Sequence, residues 1–408
     1  MDERLILASV SPEIVSAPAQ AAWRDYLAVI DSARAQLLNS RWARSRQFQT
    51  QAMYFISLLQ QFGFNTYLGP RQAFPTFYQH LMFTPVEHAW GAPCPDFRYH
   101  WTAIDGARTY RIWGQRGSTL WLNIQAQRGW YGDENVNIGS WDVDDFTLGP
   151  DGSYEIIASA TPQRGNWMKL DPTAAYTCVL VRDIWDDWDD ARGATIHIEC
   201  LDARPEDALF HDEAGYCARL GKIAKQTQVS VDFFLGTLDA IFDEVGFNRF
   251  RLLQTRSGEH AGSPRAAYIH LCYDIRPDEA LIVECALPET PYWSLHICDW
   301  LQQTTDYRFH HTSLNGRQAH IGPGKIVRLV ICAKDPGVRN WLDTCGQLQG
   351  IALWRYYLAN DPVVPSVRKV PLAELKSRLP PDTPMTTPAE RRAMIEWRRR
   401  KIGNRFNV

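Results

Sequence analysis

The sequence predicts a mainly β protein with helical additions: two related β-sandwich units, an N-terminal helical pair, a helical linker and a C-terminal helix. Three observations predict it. The stretch Gly322 to Tyr357 is echoed by Pro150 to Trp185, each with an alternating apolar strand, a turn containing Pro and Gly, an Asn-Trp pair and a final apolar strand carrying an Arg. Short period-two segments separated by turn residues fill both regions, as in sandwiches. Helical periodicity appears before, between and after them. The chain therefore reads as an internal duplication, with function expected where the halves differ.

The length of 408 residues allows two such units. Charge is nearly balanced at −3, so no global field points to nucleic acid. The 16 Trp favour a ligand-lined pocket or subunit contacts, since Trp supplies apolar area with a polar handle. Nine Cys are scattered without a C-x-x-C pair, mostly in apolar runs, and read as reduced core thiols. MDERLILASV shows no secretory leader, and no run approaches a membrane span, so a cytoplasmic location is expected.

In chain order, residues 1–66 form the N-terminal helical region. Trp23, Leu27, Ile30, Ala33 and Leu37 mark one helix, and Phe48, Ala52, Phe55, Ile56 and Leu59 a second ended by Gly63. Residues 67–202 form the first sandwich unit, opening with an irregular Pro-rich segment (Tyr67 to Pro95) and then strands at Arg108 to Trp113, Ser118 to Gln125, Ser153 to Ser159, Thr177 to Arg182 and Thr195 to Cys200. The linker, 203–262, reads as two helices, Glu206 to Lys225 and a second through Val231 and Phe242 to Gly246. The second unit, 263–372, has strands at Ala266 to Asp274, Ala280 to Ala286, Trp293 to Asp299, Ile326 to Ala333 and Gly350 to Tyr357. Residues 373–408 hold the end of a Pro-rich extended tail and a basic helix begun by the capping box Thr387-Pro388-Ala389-Glu390. Its Arg391, Arg392, Arg398, Arg399, Arg400 and Lys401 suit contact with a neighbouring acidic subunit better than nucleic acid.

At Asp335 to Thr344, with Tyr292-Trp293, Asp306-Tyr307-Arg308, Ser313-Leu314-Asn315 and Trp354-Arg355-Tyr356, the chain resembles the domain of unknown function 1214 family. Pro95-Asp96, Tyr110-Arg111-Ile112 and Gly165-Asn166-Trp167 extend the likeness to about four fifths of the chain. Gln347 departs from it, standing where the family pattern has a His after Gly346. The resemblance implies a jelly-roll-like architecture and a homo-oligomer, and brings no reaction.

Candidate chemistry comes from the residues themselves. Asp306, Tyr307, His310 and His311 combine an imidazole with a phenol and a carboxylate, the groups that general acid-base catalysis needs. Arg308, Arg355, Arg182, Trp293, His296 and Trp300 are the candidate substrate-binding residues, a buried guanidinium requiring either a carboxylate partner or an anionic ligand. Asp96, Asp274 and Asp299 are possible partners for the two repeated arginines, and an architectural ion pair is the simpler account. Asp186, Asp187 and Asp190, in the run Asp183 to Asp190, could hold Mg²⁺ or Ca²⁺, although an exposed acidic loop is the simpler explanation. No G-x-S-x-G, Walker A or G-x-G-x-x-G motif is present. The favoured function is an enzyme acting on a largely apolar small molecule, aromatic, steroid or terpenoid, by acid-base isomerase, lyase or hydrolase chemistry without a cofactor. The alternatives are a non-catalytic small-molecule-binding or assembly protein, and divalent-metal chemistry on a diphosphate at the Asp-rich loop.

Overall fold

The structure, a computed structural model, describes residues 16–79, 90–190, 192–208, 212–253, 263 and 265–406. The leader reading at Met1 to Val10, Pro85 of the Pro-rich segment and the end of the linker at 254–262 lie outside them. Helices α1 (Ala17–Asn39) and α2 (Arg46–Gly63) begin at serine caps, Ser16 and Ser45, whose hydroxyls accept from Ala19 N and Phe48 N at 3.1 Å each. On α1, Ala33 and Leu37 are buried while Trp23 and Leu27 are exposed, so the apolar stripe is fully covered only in its C-terminal half.

The first unit comprises β1 (Phe97–Ile104), β2 (Tyr110–Gln115), β3 (Trp121–Arg128), β4 (Val136–Asp142), β5 (Ser153–Ser159), β6 (Trp167–Lys169), β7 (Thr177–Ile184) and β8 (Thr195–Cys200). One sheet runs β1-β7-β3-β4 and the other β6-β5-β2-β8. After α3 (Glu213–Val245) and the short β9 (Phe250–Leu253), the second unit comprises β10 (Ala266–Asp274), β11 (Glu279–Ala286), β12 (Tyr292–Cys298), β13 (Ser313–Asn315), β14 (Ile321–Gly322), β15 (Ile326–Cys332), β16 (Trp341–Asp343), β17 (Gln349–Tyr357) and β18 (Ser366–Pro371). Its sheets contain the orders β10-β17-β12-β13 and β16-β15-β11-β18, which match those of the first unit strand for strand. In each unit one strand pair is parallel: β5 with β6, and β15 with β16.

Each sandwich has its own interior. Ile112, Ile124, Ile156 and Val181 pack inside the first; Leu271, Val283, Leu295 and Trp354 pack inside the second. The outer faces of β1-β7-β3 and β10-β17-β12 are apolar as well, and together with α1, α2 and α3 they build a third core that holds the units together. β7 is consequently buried along its whole length, and nearly all of β17 is too, which is why both read as continuous apolar runs.

Several expectations need correction. The linker holds one helix of 33 residues, α3, where two were expected; Gln226, Thr227 and Ser230 are buried in it, and polar side chains on the covered face interrupted the apolar stripe. It ends at Gly246, whose φ of +69° an L side chain rarely adopts. β1 was not among the expected strands although FRYHWTAI alternates, with Phe97, Tyr99, Trp101 and Ala103 on one face and Arg98, His100 and Thr102 on the other. The Pro-rich tail is not simply extended coil: β18 pairs antiparallel with β11, followed by the single-turn α4 (Leu375–Arg378). Helix α5 (Pro388–Phe406) starts at the expected capping box, Thr387 N donating to Glu390 Oε2 at 2.8 Å and Glu390 N to Thr387 Oγ1 at 3.2 Å. It binds this chain's own units. Arg398 donates to Tyr307 O (3.0 Å) in the second unit, Arg405 to Pro95 O (2.6 Å) beside the first, and Lys401 pairs with Asp189 at 2.8 Å. None of the nine Cys is in a disulfide, but Cys200, Cys217 and Cys345 are half-buried and outside the core. No described helix is long and apolar enough to cross a membrane.

Candidate functional site

A cavity of about 500 Å³ lies in the shared core, between the two outer sheet faces and α3. Its apolar wall is aromatic: Trp90 stacks on Phe62 at 4.5 Å and meets Tyr131 edge-on at 4.6 Å and Phe234 at 5.7 Å, and Trp130 and Phe233 complete the wall. Asp232, Gly236 and Ala240, four residues apart on α3, are exposed and line the same cavity, so its mouth follows one stripe of the helix.

The polar wall is built twice. On β1 and β7, Tyr99 faces Arg182 across the strand pair; on β10 and β17, Tyr268 faces Arg355 in the same register. Side chains two apart share a sheet face, so Leu180 with Arg182, and Leu353 with Arg355 and Tyr357, all point into the cavity. Arg182 Nη1 donates to Gln125 Oε1 at 2.6 Å. Arg355 Nη2 donates to Ala92 O at 3.0 Å, and its guanidinium lies 5.2 Å from the centre of the Tyr268 ring. The Nε and Nη1 groups of Arg355 have no hydrogen-bond partner among the described residues, although the side chain is only 3% exposed. The three candidate carboxylates pair elsewhere among the described residues: Asp96 accepts from Trp188 Nε1 (2.7 Å) and Tyr292 OH (2.5 Å), Asp274 from Gln349, and Asp299 from Gln303.

Burial holds several neighbouring groups away from their charged forms. Burial pushes the His270 imidazole down to about 4, with its 3.2 Å contact to Gln302 Oε1 opposing and Arg355 assisting. Burial likewise pushes the Tyr99 and Tyr357 phenols up, and the Cys94 thiol beside Arg355 up.

Of the residues singled out from the sequence, Arg182 and Arg355 line this cavity and the others do not. Trp293 stacks on Trp354 at 4.9 Å inside the second sandwich, and Trp300 packs on Trp42 at 5.1 Å. His296 lies on the same sheet face as Arg355 but is fully covered. Asp306 Oδ1 caps a turn, accepting from Arg308 N (2.8 Å) and Phe309 N (2.9 Å), and Tyr307 is buried beneath α5. His310 and His311 diverge. His310 Nδ1 meets Asp343 Oδ2 at 2.8 Å, and with Cys345 these residues form a group whose ligand atoms lie within 4.8 Å of one another. His311 is buried with its Nδ1 on Trp341 O, and it borders a second cavity of about 460 Å³ with Asp186, Asp187 and Asp189.

The acidic run is not gathered around one point. Asp183 pairs with Arg98 at 2.6 Å, Asp186 with Arg317 at 3.1 Å, Asp187 Oδ1 caps its own turn at Asp189 N (2.9 Å), and Asp189 pairs with Lys401. Asp186, Asp187 and Asp190 form no metal-ligating group among the described residues. Sequence reading missed Tyr99, Tyr268, His270, Gln302 and the aromatic wall. Aligning the strands before each repeated segment would have exposed the Tyr99 and Tyr268 pair.

No family model matches the chain, and no curated protein matches it. Among solved structures, the VPA0106 protein from Vibrio parahaemolyticus aligns at 11% identity over 86% of this chain and 99% of its own, with a TM-score of 0.45. The chain is similar in fold to an uncharacterized protein from Burkholderia cenocepacia, at 26% identity over 86% of this chain and 97% of that chain, with a TM-score of 0.80.

Proposed function

We propose that this protein binds a largely apolar small molecule in the cavity between its two sandwiches. The observation that carries this reading is the aromatic-walled volume closed from both units and open along α3, the kind of concave, mostly apolar site that ligands occupy. Binding is favoured over acid-base turnover in this cavity, since a general acid or base works best with a pKa near the operating pH. His270 lies well below neutrality and the phenols above it. A catalytic use of His310 is the second reading, supported by its hydrogen bond to Asp343. We also infer that the two units arose by duplication, from their matched strand orders and matched Tyr-Arg pairs.

The test uses 2-naphthylacetamide, a neutral bicyclic probe, with the fluorescence of Trp90 and Trp130 as the signal. Wild-type protein is expected to give saturable one-to-one quenching. Gly236→Trp, placed where an added Cβ meets no atom within 4 Å, is expected to fold normally and lose the response by closing the mouth. Absence of saturable binding in wild type, or binding unaffected by Gly236→Trp, would refute the reading.

A further inference from the structure

We propose that the ligand is an amphiphilic monoanion, whose apolar body lies on the aromatic wall while its carboxylate is held by the Arg355 guanidinium. The inference rests on the cavity being a binding site. Its own ground is the charge of Arg355. A buried guanidinium is costly unless paired and hydrogen-bonded. Arg355 donates from Nη2 to one backbone carbonyl, while Nε and Nη1 are left without acceptors beside a 500 Å³ cavity. No carboxylate of the described residues pairs with it, and the side chains that act on its charge are a thiol and phenols.

Comparison of the two halves explains why this arginine is open. Leu180, two residues before Arg182, pairs across strands with Gln125, and it is Gln125 that accepts from Arg182. Leu353, two residues before Arg355, pairs with His296. His296 therefore stands where the first unit has Gln125. Its ring accepts nothing from Arg355, and both ring nitrogens lack partners among the described residues. One half supplies its arginine with an internal acceptor, and the other withholds it.

The chemistry of the surroundings selects the anion. Trp90 Nε1 and Trp130 Nε1 are further buried donors without partners, so the cavity offers donors in excess of acceptors. A planar carboxylate matches the fork of a guanidinium, and one open guanidinium suits a single negative charge better than a phosphate dianion. The aromatic wall requires that the rest of the molecule be apolar and ring-sized.

The experiment compares 2-naphthylacetate with 2-naphthylacetamide by calorimetric titration, the two differing in charge but little in shape. Wild type is expected to bind the carboxylate at least tenfold more tightly than the amide. Arg355→Met is expected to abolish that preference while still binding the amide. His296→Gln, which restores the acceptor present in the first half, is expected to shrink the preference without loss of folding. Equal affinities in wild type, a preference that survives in Arg355→Met, or one untouched by His296→Gln would each overturn the inference and leave the cavity reading standing. Failure of wild type to bind either probe would instead remove the cavity reading, and the inference with it.

Discussion

Asn166 and Asn340 perform the same task atom for atom. Asn166 Nδ2 donates to Thr147 O and Glu155 O at 2.8 and 3.0 Å, and its Oδ1 accepts from Thr147 N at 2.9 Å. Asn340 Nδ2 donates to His320 O and Arg328 O at 2.7 and 2.9 Å, and its Oδ1 accepts from His320 N at 2.9 Å. The following Trp donates from Nε1 to Ser159 O in one unit and Cys332 O in the other. The repeated Asn-Trp pair is thus a clamp between a loop and the penultimate sheet strand, and its framework role was legible in the sequence. Asn340 is 5% exposed and Asn166 half-buried, so truncation should cost more in the second unit. Asn340→Ala is expected to lose about 2–3 kcal/mol and Asn166→Ala about 1 kcal/mol, read from urea unfolding midpoints. The two arginines were equally legible as residues that need an explanation. Their explanation was not, because the lack of a carboxylate partner for Arg355 among the described residues depends on where Asp96, Asp274 and Asp299 are carried by the fold.

At the scale of elements, the loop from Asp299 to Thr304 positions the cavity's polar corner. Asp299 Oδ1 accepts from Leu301 N (2.9 Å) and Gln303 N (2.8 Å), which holds Gln302 with its carbonyl on Ala92 N (2.8 Å) and its side chain on His270. Burial pushes the Asp299 carboxyl up to about 7, against these hydrogen bonds. The folded chain therefore holds a proton that the unfolded chain releases in the ordinary carboxylate range. Stability should fall as pH rises from that range through about 7, and stay lower above it. Asp299→Asn, which keeps one acceptor oxygen, removes this dependence. Its melting temperature relative to wild type is expected to be higher at pH 8 than at pH 5, by thermal denaturation at both values; an equal difference at the two pH values would contradict the assignment. Strands with one solvated face were readable from alternation. β1 was readable in the same way, its aromatic residues alternating with Arg98, His100 and Thr102, whereas the full length of α3 was not, since a helix with buried polar residues loses its period.

At the scale of the molecule, the two sandwiches are joined three times: through the shared core, through α3, and through α5. Lys222 of α3 pairs with Asp133 of the first unit at 2.6 Å, while Glu244 near its other end pairs with Arg251 on β9 of the second. On α5, Arg391, Arg398 and Arg405 are buried one above another at seven-residue spacing. Arg398 and Arg405 both lie 4.7 Å from the Trp188 ring, and their contacts reach both units. Burial lowers the Arg398 guanidinium to about 10, which leaves it charged at neutral pH. A chain ending before Pro388 is expected to melt at lower temperature and in two calorimetric transitions, where the full chain melts in one. The sequence disclosed the basic face of this helix but not its destination, because Arg398 and Arg405 meet chiefly backbone carbonyls, which leave no mark in composition.

These two bridging helices have a kinetic consequence for whatever occupies the cavity. Two sandwiches joined through both helices resist parting like the shells of a clam, so the proposed ligand would come and go past Gly236 and Ala240 on α3. Its residence time would then be set by the bulk of side chains on one helical stripe rather than by any swing of the halves.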